Sequence, residues 1–485
     1  MTTAEYGKLV AKSAQILGLL AVFTWTTGCS VNAATGERQF VLVSEAQEIA
    51  MGRQNDEQIV QSMGLYPDEN LQVYIQDLGE ELAALSERPN LPWTFRVVDD
   101  PVVNAFALPG GYIYVTRGIL SHFNSEAELV SVLGHEIGHV TGRHGVERLS
   151  KAQLATIGIG VAAVANEDFR QYAGLAQQGL GLLFLKFSRD DEREADDLGL
   201  RYLVRGQYDP DEMPKVFNTL DRKAGAAGGR MPNWLATHPA PADRADRIAG
   251  QVSQLSSEQR DGRIGRDSYL NRLEGMTFGT NPREGYNIGN VFYHPDMAFA
   301  LDFPKGWKIV NQRQAVGAVS PEEDAVVVLT LANESSPQAA MDAFFNQQGV
   351  ERGDGWRRSF RYFRTEPNQS NQRVVGLVGF LEHQNQLFQL LSYTSDQQWR
   401  GHQDRLQESL SSFRRLTDRR YLQVEPARVQ LIKLKNSMTL EEFNRRYPSN
   451  LELDDLAILN GVSTTERLEA GMLIKRVTGG ELPGG

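Results

Sequence analysis

His135-Glu136-Ile137-Gly138-His139 constrains this chain more tightly than any other five residues in it. On an α-helix, positions i and i+4 share a face, because four steps of about 100° come nearly full circle. Two imidazoles so placed can grip one Zn²⁺, and the intervening Glu136 lies close enough to accept a proton from water activated there. The pattern therefore asks for a helix, a third ligand from elsewhere, and a fourth position left open. The helix is well founded. Ser125 is placed to cap it, Glu128 stands at the capping-box position, and Leu129, Val130, Val132 and Leu133 supply an apolar run before Gly142. Gly134 and Gly138 cost roughly 1 kcal/mol each in helix propensity. In exchange, they let a second helix or a substrate backbone come close to the metal.

The third ligand is sought in Ser188-Arg189-Asp190-Asp191-Glu192-Arg193-Glu194-Ala195-Asp196, which reads as the opening of a second helix with a serine cap and acids in its first turn. Glu192 and Asp196 share a face, and Leu198, Leu200 and Leu203 continue the helix. Glu192 can bind the metal while Asp196 stands behind, orienting a ligand or donating a proton. Glu194 is the rival ligand, and a solvated acidic helix start is the plainer alternative. Further upstream, Val102–Ala107 and Tyr112–Val115 predict two strands around Pro109-Gly110-Gly111. A free strand edge beside a metal site can add an extended peptide as one more strand. His144 reads as a supporting residue. His238, in Thr237-His238-Pro239, can take the open metal position at rest or donate to the oxyanion of an attacked carbonyl.

The stretches HEIGHVTGRH (135–144) and SRDDEREAD (188–196) come in order with Val43–Glu48, Asn104–Gly111 and Thr237–Pro239. Together they resemble zinc metallopeptidases of the CAAX prenyl protease/HtpX type, and more closely the soluble periplasmic branch of that family. The resemblance covers roughly residues 40–250. It implies a mainly helical, zincin-like domain with a small sheet, and one Zn²⁺ per chain on His135, His139 and Glu192. It further implies Glu136 as general base and Asp196 as proton donor. Arg244 matches an arginine of the family's loop after the zinc helices and is expected to stabilise the oxyanion.

The chain begins with Lys8 and Lys12 ahead of an apolar run from Ile16 to Phe23, too short to span a bilayer, and then Thr26-Thr27-Gly28-Cys29. This resembles a bacterial lipoprotein signal, with lipid on Cys29 as a membrane anchor; a plain secretory signal or a short anchor is the alternative. Ser30 after the cysteine points to the outer membrane. Cys29 is the only cysteine, so no internal disulfide is available. A net charge of −11 argues against a nucleic-acid partner.

Residues 154–187, rich in glycine and aliphatic residues, predict two short helices, packed as core or serving as a lid. A Gly- and polar-rich stretch at 273–290 reads as a linker. Residues 291–418 predict a small α+β domain, with strands at 298–304, 325–331 and 374–380 and helices at 337–348 and 396–413. The order strand, helix, helix, strand at 425–478 is similar to a LysM module, which in that family binds N-acetylglucosamine-containing glycan; Ser437-Met438 replaces the usual Gly-Asp of its first helix.

The expected organisation is therefore α+β: signal 1–28, metallopeptidase domain 29–272, linker 273–290, α+β domain 291–418 and LysM-like βααβ module 425–478. The expected function is zinc-dependent hydrolysis of misfolded or unassembled envelope proteins by an exported, periplasmic lipoprotein. Two alternatives stand beside it: a chaperone-like binder with latent protease activity, and a scaffold associated with peptidoglycan.

Overall fold

The computed structural model describes residues 29–158, 187–226, 234, 238, 243–357, 359–367 and 372–484. The expected signal at 1–28, Thr237, Pro239 and most of the candidate lid at 154–187 lie outside the described residues. These divide into two compact units. The first comprises residues up to Phe278 together with Val429–Thr478; the second comprises Gly279–Arg428 and Gly479–Gly485.

In the first unit, β1 (Cys29–Val31) and β2 (Arg38–Phe40) precede α1 (Glu45–Met63) and α2 (Glu69–Ala83). A three-stranded sheet follows, β3 (Thr94–Val98), β4 (Ala105–Leu108) and β5 (Tyr112–Thr116), in the order β3-β5-β4. β3 runs parallel to β5, and β4 pairs antiparallel with it around the turn at Pro109–Gly111, which leaves β4 at the sheet edge. Next come α3 (Arg117–His122), α4 (Glu126–Thr141), α5 (His144–Gly158), α6 (Arg189–Arg205), α7 (Met213–Ala226), α8 (Arg244–Ser253) and α9 (Arg266–Leu273). No described helix is long and apolar enough to cross a membrane.

The two expected helices form where their caps place them. Ser125 accepts from the Glu128 amide, and Ser188 shares a reciprocal box with Asp191. Each such cap contributes about 1 kcal/mol. The Ser125 box is not reciprocal: Glu128 instead accepts from the Asn124 amide at 2.7 Å, one residue outside the helix. Every residue of α4 is buried. Leu129, Val130, Leu133 and Ile137 lie in one apolar core with Val97, Ile113, Leu198 and Leu203, each such side chain contributing about 1.5–3 kcal/mol.

Glycines set how closely α4 and α6 approach. A Cβ at Gly134 would stand 3.2 Å from the Gly199 carbonyl oxygen, and one at Gly138 would stand 2.9 Å from that of Ala195. The small residues beside the histidines thus admit a second helix.

The last elements of the chain differ from the expected arrangement. β17 (Arg428–Lys433), β18 (Met438–Thr439), α12 (Leu440–Arg446), α13 (Leu453–Asn460), β19 (Arg467–Leu468) and β20 (Leu473–Thr478) have the strand-helix-helix-strand order, with β17 beside β20. Rather than standing apart, Val429–Thr478 belong to the first unit, and Val429 and Leu473 join its main core. Nor is 273–290 a linker throughout. Met276 and Thr277 are buried, the Met276 carbonyl accepts from the Val429 amide at 2.9 Å, and Tyr286–Ile288 form a strand.

The second unit is α+β. Its seven-stranded antiparallel sheet runs β12 (Val350–Arg357), β13 (Phe360–Thr365), β14 (Val374–His383), β15 (Gln386–Ser395), β11 (Ala325–Ala332), β10 (Ala315–Val319) and β9 (Lys308–Gln312). A four-stranded sheet takes β16 (Arg414–Arg415), β8 (Phe299–Asp302), β7 (Val291–His294) and β6 (Tyr286–Ile288), in that order. Helices α10 (Pro337–Phe345) and α11 (Trp399–Ser411) complete it. His383 and His402 pack rather than cluster: His383 Nε2 lies 2.9 Å from the Met297 carbonyl, and His402 Nε2 lies 3.1 Å from Asp324.

The α4–α6 contact yields a direct test. Gly138→Val is expected to lose about 2 kcal/mol or more in urea denaturation, because overpacking at a backbone contact outweighs any gain in helix propensity. Wild-type stability in that variant would mean that the two helices do not meet there.

Candidate metal centre

Four buried side chains converge: His135 and His139 from α4, Glu192 from α6, and His238. Their donor atoms all lie within 4.8 Å of one another. His135 Nε2 stands 3.0 Å from His139 Nε2 and 3.6 Å from Glu192 Oε2; His139 Nε2 stands 3.5 Å from Glu192 Oε1. His238 Nδ1 is 3.0 Å from Glu192 Oε1 and 3.3 Å from His135 Nε2. Around a tetrahedral ion with bonds of about 2.05 Å, neighbouring donors sit about 3.4 Å apart. The observed separations bracket that value, so this nitrogen- and carboxylate-rich donor set fits zinc.

The protonation states suit the same assignment. Burial drives His139 well below its ordinary range, giving the neutral imidazole that a metal requires. Burial alone would raise Glu192, but His238 and His139 outweigh it and hold the carboxyl well below the usual range. Burial also works against a charged His238, yet the carboxylates of Glu192 and Glu136 prevail and raise it. Glu136 is fully buried, 3.6 Å from His238 Nε2, and burial pushes its carboxyl upward against the pull of His238 and His135. A general base is most effective when its pKa is shifted towards the working pH.

Of the two roles open to Asp196, the geometry selects one. Its Oδ1 lies 3.0 Å from His135 Nδ1, the ring nitrogen turned away from the donor cluster. This carboxylate–histidine arrangement fixes the ring and its tautomer. Burial would raise Asp196, but Arg244 and His135 outweigh it and hold the carboxyl at about 2. Asp196 thus supports His135 from the side away from the donor cluster.

Arg244 packs against the same carboxylates. Its Nε donates to Asp196 Oδ2 at 3.0 Å, its second terminal nitrogen reaches Asp196 Oδ1 at 2.5 Å, and its first pairs with Glu192 Oε2 at 3.0 Å. The guanidinium lies over Phe217 and Trp234, 4.5 and 5.0 Å from their ring centres. It pairs with both carboxylates, Glu192 and Asp196. Glu194 is excluded as the metal ligand, since its Oε1 accepts from Asn32 at 2.8 Å and lies 3.5 Å from His144 Nε2. His144 in turn meets His139 Nδ1 at 2.9 Å, which gives it the supporting role expected.

Sequence reasoning missed two aromatic walls. Phe187 stacks on His139, with ring centres 3.9 Å apart at 25°. Trp234 stacks on His238 at 5.0 Å and 20°. The four-residue spacing of Trp234 and His238 was the available signal, since on one helical turn it places both on one face; the His238 amide donates to the Trp234 carbonyl at 2.8 Å.

Residues 69–252, which contain all of these donors, match the family model of Peptidase family M48. The chain is similar to the mitochondrial metalloendopeptidase OMA1 of Arabidopsis thaliana, 34% identical over 193 residues, covering 39% of this chain and 38% of that protein. It is 32% identical over 221 residues to the beta-barrel assembly-enhancing protease of Yersinia pestis, covering 43% and 44%. The protein of the same name from Escherichia coli is 29% identical over 229 residues, covering 44% and 45%. The chain thus spans less than half the length of these curated relatives. The matched stretch and the His135–His139–Glu192 group together mark a metalloendopeptidase domain whose metal is zinc.

Replacing Asp196 with Asn is expected to lower zinc affinity 10- to 100-fold, the usual cost of losing a partner behind a ligand. Chelator competition measures this, and an unchanged affinity would detach Asp196 from the metal centre.

Proposed function

We propose that this protein is a zinc-dependent endopeptidase that cuts misfolded or unassembled proteins of the cell envelope. The observation that carries the reading is the set of buried donors with the Glu136 carboxyl beside it. When bound, zinc supplies Lewis acidity, acidifying water and polarising the scissile carbonyl. Glu136 accepts the proton of the attacking water and returns it to the leaving amine, while Asp196 orients His135. His135, His139 and Glu192 are the metal ligands of this reading; Asp196, Arg244 and His144 hold them in place. β4, last in the strand order of its sheet among the described residues, is the strand along which an extended substrate would lie.

The names of the Yersinia pestis and Escherichia coli relatives, beta-barrel assembly-enhancing proteases, support an envelope substrate. An exported, periplasmic lipoprotein attached to the outer membrane through Cys29 agrees with the Thr26–Cys29 pattern. The strand-helix-helix-strand elements at the end of the chain support a LysM-like module with peptidoglycan as a further partner.

One observation favours a latent resting state. His238 Nδ1 stands close enough to Glu192 and His135 to complete four-fold coordination, which would leave no corner for water. On this reading the protein holds clients and cuts only when His238 withdraws.

Two measurements test these points. Glu136→Gln should keep stoichiometric zinc and lose roughly 10²–10⁴ of its casein-digesting rate; chelator-sensitive digestion at the wild-type rate would remove Glu136 as base. His238→Ala should digest casein several-fold faster and release zinc more readily. If neither quantity moves, His238 has no place at the metal.

A further inference from the structure

A second buried charge cluster lies at the far end of α4. Glu48, on α1, is fully buried, and two arginines and one main-chain amide converge on its carboxylate. Arg88 donates to its two oxygens at 2.9 and 3.1 Å, Arg143 lies 3.1 Å from Oε2, and the Gly110 amide reaches Oε1 at 3.3 Å. Each partner belongs to a different working part. Arg88 also donates to the Val140 carbonyl at 3.0 Å, in the last turn of the helix that carries both histidines. Arg143 directly follows the cap of that helix, with φ at +57°. Gly110 sits in the turn that ends the edge strand β4.

Backbone packing reinforces the link. A Cβ at Gly110 would stand 2.7 Å from Ile49 Cα, and one at Gly52 would stand 2.2 Å from the Pro109 carbonyl oxygen. Helix α1 and the β4–β5 turn are therefore in main-chain contact. Ala107 and Leu108 of β4 line one small cleft together with His139, Phe187, Glu48 and Arg143. A buried ion cluster is a poor stabiliser, since desolvation cancels most of its Coulomb energy, and fixing geometry is the better-attested use.

We propose that Glu48 is a positioning residue for peptide hydrolysis: through Arg88, Arg143 and Gly110 it sets the register of β4 against the His139 end of the zinc helix. An extended peptide lying along β4 then presents its scissile bond to the metal site. The inference rests on the endopeptidase reading above, with β4 as the platform.

The test compares two substrates on the full-length zinc protein: a quenched peptide long enough to run along β4, and a minimal peptide that reaches only the metal site. In Glu48→Gln, which keeps the side-chain volume, kcat/KM for the long peptide should fall roughly tenfold or more while the minimal peptide changes by less than about twofold, a small displacement of bound substrate being enough for such a loss. Zinc content should stay at wild-type level. An equal fall for both substrates, or no fall for either, overturns the proposal, because a merely structural role does not change their ratio. Should Glu48→Gln not fold, Arg143→Gln removes a single limb at a partly exposed site and should shift the ratio in the same direction; an unshifted ratio there overturns it too. Failure of the wild-type protein to cleave either peptide would instead sink the endopeptidase reading itself.

Discussion

Helices α4 and α6, remote in sequence, meet with almost nothing between their backbones: Gly134 lies against Gly199, and Gly138 against Ala195. The site depends on that contact. Asp196 has a short side chain, and it reaches His135 Nδ1 at 3.0 Å only because the helix axes are this close. The same approach brings Glu192, four residues earlier, opposite the two imidazoles. The two glycines of α4 sacrifice about 1 kcal/mol each in helix propensity. Burial of α4 on every side offsets this several times over, so tertiary packing, not local preference, holds the helix that carries the histidines.

Electrostatics follows from the same geometry. Glu136, Glu192 and Asp196 are three carboxyls with at most 1% exposure, gathered around His135. Arg244 is the fully buried cation among them, with Arg247 reaching Asp196 from the rim at 3.0 Å. Unpaired buried charge is too costly to tolerate. Arg244 pairs with Glu192 and Asp196, Arg247 with Asp196, and His238 with Glu192 and Glu136; a bound divalent cation would add to these counter-charges. The arginine is thus engaged as a counter-ion to Glu192 and Asp196.

The parts of the site that could be read from sequence are those governed by helical period. His135, Glu136 and His139, and the shared face of Glu192 and Asp196, follow from spacing, and the caps at Ser125 and Ser188 fix where the helices begin. The choice between Glu192 and Glu194 was open because it depends on packing: Asn32 and His144 draw Glu194 elsewhere. Phe187 and the ion pairs of Glu48 carried no local signal strong enough, since their partners lie far along the chain. The stretch 273–290 misled for the same reason. Its composition is that of a linker, but Met276 finds a hydrogen-bond partner at Val429, more than 150 residues away. In the second unit, strands and helices were legible because alternation and amphipathic period are local; their sheet order was not.

The end of the chain shows how far such remote contacts extend. Lys475, on β20, is fully buried, and its ammonium donates to the carbonyls of Ser121 and Phe123 at 2.8 and 2.7 Å. These carbonyls lie where α3 ends, just ahead of the cap of α4, and a helix C-terminus favours a cation. Burial pushes the amine well below its ordinary range, so only close acceptors make the position tolerable. Arg222 donates to the Val462 carbonyl at 2.9 Å, and Lys223 pairs with Asp455 at 3.0 Å, fastening α7 to the same terminal elements. A module hung on a flexible tether keeps its lysines in water. Here Lys475 lies in the interior of the first unit, held where α3 ends and the helix that presents His135 and His139 begins.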